Sequence, residues 1–168
     1  LNNNSMFQTP FTVSVDHVDV MQSGVSAEAR AFTMGRILDA EAQAHEFVSP
    51  GHVFPLIASP LGVLGRQGQT EGSYDLARLA GFEPAGVLCE VLAPDGALLR
   101  GNELEDFARR HDLKVTSVAE VARYRIQHEV FVREVAEAQL NSGFGPCKTV
   151  VYTDDVDRKE HLLVQFGS

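Results

Sequence analysis

Residues 62–68 read GVLGRQG, and behind them the chain changes at once to helical spacing. A run with three glycines lets the backbone approach another group closely, and a helix that starts on it presents its first N–H groups there. Thr70 stands where a cap belongs and Gly81 where a helix stops, so the spacing predicts a helix from Thr70 to about Ala80. The flanks are extended. Residues 52–58 (HVFPLIA) read as a strand that Pro55 confines to an edge or interrupts, and residues 85–93 (AGVLCEVLA) as a buried strand. Strand, loop, helix and strand in succession predict a sheet covered by helices.

The rest of the chain extends that pattern. Residues 11–15 (FTVSV) alternate like a half-buried strand, and Ser26 caps a helical run, AEARAFTMGRIL. Residues 40–47 suggest a second short helix ended by Ser49-Pro50-Gly51. Asp95-Gly96 is a hairpin signal, so the sheet is expected to be mixed. A helix from Asn102 to about His111 follows, with Glu105 as a capping partner, then a short strand at 113–116. Ser117 and Glu120 form a capping box, opening a helix expected to reach about Glu137. Strands at 148–152 and 161–166 are joined by TDDVDRKE, and turn residues cluster in NSGFGP at 141–146, the expected boundary.

Composition closes off several functions. With 168 residues and 44% apolar content, the chain supports one domain with a core. A net charge of −9 and a pI near 5.0 argue against a nucleic-acid surface, and no apolar run nears the roughly 18 residues of a membrane span. Cys89 and Cys147 lack metal-ligand spacing, which excludes a zinc framework and suggests a reducing, cytoplasmic setting. Cys89 reads as a small core residue. The opening LNNNS lacks the basic and apolar regions of a signal peptide, and the expectation is a piece of a longer reading frame.

Three groups carry candidate chemistry. The loop and helix start GRQGQTEGS, with the Arg66 fork and the Thr70 hydroxyl, reads either as an anion site or as an ordinary capped loop. His52, flanked by Pro50 and Pro55, reads as a proton-transfer group or as a structural histidine. Glu90 lies in an apolar run, where it is a buried acid or base or, by period-2 alternation, a wet side chain. Other polar residues weigh less. Glu28 and Arg30 read as a solvated helix face, and Glu71 and Asp75 as a wet face before a cation site. His17, His45, His111 and His128 lack ligand spacing, and Asp154, Asp155 and Asp157 only loosely match a calcium loop.

In order, FTVSVD, GVSAEAR, PGHVFPL, the run 62–91 and the stretch 103–125 (ELEDFARRHDLKVTSVAEVARYR) resemble 3,4-dihydroxy-2-butanone 4-phosphate synthases. The resemblance implies an α/β (α+β) three-layer sandwich with a mixed sheet. It also implies a homodimer with shared active sites, Mg²⁺ or Mn²⁺, and ribulose 5-phosphate as substrate. Arg66, Gln67, Gly68, Gln69 and Thr70 correspond to the substrate cradle, and His52 and Glu90 to the two residues required for activity. Two departures stand out. Gln69 occupies the place of a metal-ligating histidine, which leaves an amide oxygen as a weaker ligand there. The family's acidic loop, which lies near its N-terminus, has no counterpart in these residues, so the domain is expected to be N-terminally incomplete. A paralogue that binds a sugar phosphate without turnover is the alternative. Residues 135–167, with Gly143-Phe144-Gly145 and Lys159-Glu160-His161-Leu162, weakly resemble the opening of GTP cyclohydrolase II. The expected division is therefore a synthase-like domain over 1–135 and a linker plus the start of a second domain over 136–168.

Overall fold

The computed structural model describes residues 3, 4, 6 and 9–167. Helices and sheets mix in an α+β arrangement, and the strands among the described residues pair antiparallel in two separate sheets rather than in one mixed sheet. The first sheet joins β1 (Val15–His17) to β2 (Phe47–Val53). Val15 pairs with Val53, but Asp16 pairs with Val48, so residues 49–52 bulge out of the ladder. Bulges of this kind re-aim side chains beside functional sites. Here the bulge carries Gly51 onto the β1 backbone, where a Cβ would lie 2.0 Å from the Val15 carbonyl carbon. The Ser49-Pro50-Gly51 run thus continues a strand instead of ending a helix. The helix expected over 40–47 shrinks to one 3-10 turn, Ala44–Glu46.

Helix α1 (Ala27–Ile37) starts at the Ser26 cap, whose side chain accepts the Ala29 N–H. Its buried Thr33 hydroxyl accepts the N–H of His17 and ties α1 to β1. Helix α2 (Gln69–Leu79) has Gly68 rather than Thr70 as its N-cap, two residues earlier than expected. Helix α3 (Gly101–Arg110) starts from Arg100 without a side-chain cap, not from the expected Asn102–Glu105 pair, whereas α4 (Val118–His128) has the Ser117–Glu120 capping box in place. Helix α4 stops nine residues short of expectation because Glu129 is extended and the apolar run Val130-Phe131-Val132 leads into a strand.

That strand is β3 (Val132–Ser142), which pairs with β4 (Gly145–Asp154), itself paired with β5 (Glu160–Phe166). NSGFGP is the β3–β4 hairpin turn, and β3 starts before the division drawn at 135/136. The segment 85–93, expected as a buried strand, is largely exposed, and its strand-like pairing is confined to the Asp95-Gly96 turn, where Leu92 bridges Leu98. No described strand lies alongside it to satisfy its backbone, so no ladder forms. Cys89 is accordingly exposed, not a core residue. Residues 113–116 also form no strand.

Candidate active site

The β1–β2 bulge sets one half of the site. Asp16 is 3% exposed, and its Oδ1 accepts the backbone N–H of His52 at 2.8 Å while its Oδ2 lies 2.6 Å from His52 Nδ1. Burial pushes the Asp16 carboxyl up, but the His52 N–H and the ring beside it outweigh that and hold it below its ordinary value. The carboxylate makes Nδ1 the donor, which leaves Nε2 as the nitrogen free for proton transfer. Gly24 keeps the space, since a Cβ there would meet Asp16 Oδ2 at 2.4 Å and His52 Nδ1 at 2.8 Å.

His52 and Thr70 line one cleft of about 530 Å³, together with Arg30 of α1, Tyr74 of α2 and the apolar Phe54 and Val87. Arg30 is therefore at the cleft wall and not merely on a solvated face. No side chain caps α2. Its first-turn N–H groups and positive dipole end stand at Gly68, Gln69 and Thr70.

Arg66 crosses back over this turn. Its Nη1 donates to Glu71 Oε2 at 2.8 Å, and the crossing needs Gly68, where a Cβ would lie 2.3 Å from that nitrogen. The wet face expected for Glu71 and Asp75 is wrong, because both are fully buried. Glu71 also accepts the Ser59 N–H, and Asp75 accepts the Val63 N–H and an Arg125 guanidinium N–H. Gln67 is exposed beside Arg66. Gln69 Nε2 donates to Glu90 Oε1 at 2.7 Å on the exposed side of α2, which settles Glu90 as the wet reading, reached by an amide.

The residues singled out from sequence thus fall into adjoining groups: His52 with Thr70 on the cleft, Arg66 and Gly68 over the first turn of α2, and Gln69 with Glu90 beside it. Asp16 and Arg125 were not among them, and Glu71 and Asp75 were weighed only as a wet helix face or a cation site. The charge of Asp16, at the end of an alternating strand, is the one local sign that was available. His17 is buried and structural, with Nδ1 accepting the Asp19 N–H. Among the described residues, the acidic and imidazole groups close enough to share a cation are Asp154, Asp157 and His161, with Lys159 already paired to Asp157.

Residues 1–124 match the family model described as 3,4-dihydroxy-2-butanone 4-phosphate synthase. The chain belongs to that family. A 3,4-dihydroxy-2-butanone 4-phosphate synthase of Pseudomonas aeruginosa is 44% identical over 165 residues, covering 98% of this chain and 45% of the relative. The Riboflavin biosynthesis protein RibBA of Bacillus cytotoxicus is 41% identical over 165 residues, covering 98% of this chain and 41% of the relative. The chain therefore spans about half the length of the curated relatives it matches. Among solved structures, RibBX of A. baumannii, a two-domain synthase, superposes with a TM-score of 0.82 at 35% identity, over 99% of this chain and 49% of that one. A synthase in complex with two magnesium ions superposes with a TM-score of 0.65 at 34% identity, over 76% of this chain and 64% of that one. Both are similar enough in sequence for the α+β fold of the synthase family to be this chain's fold. No helix of the described residues is long and apolar enough to cross a membrane.

Proposed function

We propose that this chain is the sugar-phosphate-handling part of a 3,4-dihydroxy-2-butanone 4-phosphate synthase. The reaction converts D-ribulose 5-phosphate to 3,4-dihydroxy-2-butanone 4-phosphate and formate, a step of riboflavin synthesis. The observation that carries the reading is the buried Asp16 holding His52 on the same cleft as Thr70, at the uncapped start of α2. The first-turn N–H groups, the Thr70 hydroxyl and the exposed part of Arg66 receive the phosphate. His52 Nε2 takes and returns protons beside the substrate carbonyl, and Glu90, oriented by Gln69, is the second acid–base group. Five carbons leave as a four-carbon phosphate and formate, so no outside oxidant or reductant enters.

Mg²⁺ or Mn²⁺ fits the donors present. The amide oxygen of Gln69 is a hard but neutral and weak ligand on a solvated edge, and Mg²⁺ characteristically keeps waters and takes substrate oxygens beside such a ligand. When bound, the ion would polarise carbonyl oxygen and stabilise enediolate charge. A homodimer with shared sites and a cytoplasmic setting belong to the same proposal, the latter supported by two free cysteines. So does a division into a synthase-like domain and the start of a GTP cyclohydrolase II-like one, best drawn just before Val132, where β3 begins.

Gln69 favours one second reading, a protein that binds the sugar phosphate without turning it over. Formate release from ribulose 5-phosphate with Mg²⁺, against a metal-free control, separates the two, with calorimetry of the same sugar phosphate beside it. Formate is the expected product. Binding without formate supports the second reading, and neither sinks both. Arg66→Ala is expected to weaken binding about tenfold, the loss of one charge-assisted contact, and unchanged affinity would remove Arg66 from the cradle.

A further inference from the structure

Beneath the loop that carries Arg66 lie three buried charges with no part in the proton transfers described above. Asp75 of α2 is fully buried, and its Oδ2 accepts the Val63 N–H at 2.8 Å. The same oxygen accepts Arg125 Nη1 of α4 at 3.1 Å, and that nitrogen also donates to the Leu61 carbonyl at 2.6 Å. The Arg125 side chain is 7% exposed. Its other nitrogens donate to the Glu129 carboxylate, which takes Arg78 Nη2 at 2.6 Å as well. Gly62, at φ +57°, sits so close to Asp75 that a Cβ would lie 2.3 Å from Oδ2. One helical turn before Asp75, Glu71 holds the Ser59 N–H at 3.1 Å and Arg66 at 2.8 Å. Four residues of one short loop, Ser59, Leu61, Val63 and Arg66, are thus each held by one of these buried charges.

A buried ion pair adds little net stability over apolar packing, because desolvation offsets much of the attraction. Its effect is on geometry: the charges admit one arrangement, and the arrangement here is that of residues 59–66. Arginine suits the task, since its rigid fork serves a carbonyl and two carboxylates at once, which an ammonium group does not reproduce. We propose that the Asp75–Arg125 pair, backed by Glu129 and Arg78, is a positioning device that sets the 59–66 loop, and with it Arg66, for an anionic ligand. The ligand part of this inference rests on the anion-cradle reading above, whereas its loop part does not.

The test uses the full chain, inorganic phosphate and ribulose 5-phosphate as calorimetric probes, and amide hydrogen exchange. Arg125→Lys is expected to weaken binding of both probes about tenfold and to speed exchange at the Ser59 and Val63 amides by a similar factor, as coupled groups do. The double variant Arg125→Lys/Arg66→Ala is expected to bind no worse than Arg66→Ala alone. Fully additive losses overturn the proposal, because Arg125 would then act by a route other than the loop. Asp75→Asn, which keeps its shape and the Val63 acceptor, is expected to give smaller changes at the same amides and stands in where Arg125→Lys fails to fold. If the unaltered chain binds neither probe, the cradle reading fails while exchange still decides the loop. Unchanged protection at Ser59 and Val63 overturns the proposal in every case.

Discussion

A buried carboxylate decides what the half-exposed His52 can do. With Asp16 on Nδ1, the imidazole has one orientation and one basic nitrogen, and Asp16→Asn removes the charge that enforces both. Turnover, read as formate release at saturating ribulose 5-phosphate, is expected to fall roughly 100-fold or more, the range of general acid–base effects, with binding little changed. An equal loss of binding would mean that Asp16 shapes the cleft rather than the base. The pair also carries a pH signature. The folded-state value of Asp16 lies below its ordinary 3.8, so its contribution to stability is present above that value and is lost as pH falls through the folded value. Thermal unfolding followed below about pH 4 should therefore show a steeper acid loss in the unaltered chain than in Asp16→Asn. His52, Arg66 and Glu90 stood out in the sequence as candidates because glycine, proline or an apolar run made each conspicuous, and Gln69 because it takes a histidine's place in the resemblance. Asp16 did not, since its partner lies 36 residues away across the bulge. Glu71 and Asp75 misled for a related reason: the four-residue spacing says that they share a face of α2, but only the 59–63 loop and Arg125 make that face a buried one.

Of the helix starts read from local capping signals, two hold and two move: the expected caps at Thr70 and Asn102 fall to Gly68 and Arg100, neither with a side-chain bond, and the segments that depend on a distant partner were read least well. Ser26 and Ser117 both cap as the sequence suggests, because a cap involves only the next three residues. Ser117→Ala is expected to cost about 1 kcal/mol in urea unfolding, and no measurable change would mean that the Glu120 side chain satisfies the helix start unaided. The segment 85–93 has a strand's composition without a strand to pair with, so pattern alone misplaced it. The β1–β2 bulge was hidden for the opposite reason, since it joins residues over 30 apart and runs through a Ser-Pro-Gly that locally signals a break. Its tightest point gives the sharpest prediction. Gly51→Ala would press a methyl into the Val15 backbone, where nothing can rotate aside, and should cost about 3 kcal/mol, the upper end for overpacking. Because the bulge delivers the His52 N–H to Asp16, the same variant should lose formate release beyond what its unfolded fraction explains.

For the molecule as a whole, surface area sets the question. The described fold exposes 12680 Å², whereas a compact monomer of 18.3 kDa exposes about 8,100 Å² by the usual scaling of area with mass. Large apolar side chains are among the exposed residues. Phe54 is 60% exposed, Val87 72% and Ile126 63%, and the residues between β2 and α3 contribute several more. The three-stranded sheet adds Leu162 and Val164 of β5, which lie opposite Val151 and Thr149 of β4 and are 65% and 43% exposed. Phe54 and Val87 adjoin on the wall of one cleft, and exposed apolar surface gathered in this way marks a face that another surface covers. With a net charge of −9, copies of the chain also repel one another, but that repulsion is screened within about 8 Å at physiological salt and does not act across a dry contact. Association is therefore expected to strengthen as salt rises, which is the reverse of a contact held by ion pairs. Sedimentation velocity of the 168-residue chain at tens of micromolar, in low and then high salt, reads this directly. A species larger than 18.3 kDa that persists or grows with salt is the expected result, and it agrees with the homodimer proposed for the active form. An 18.3 kDa monomer at every salt concentration, binding no hydrophobic dye, would mean that the chain closes its apolar faces on itself in solution, and the cleft between His52 and Val87 would then be smaller than described.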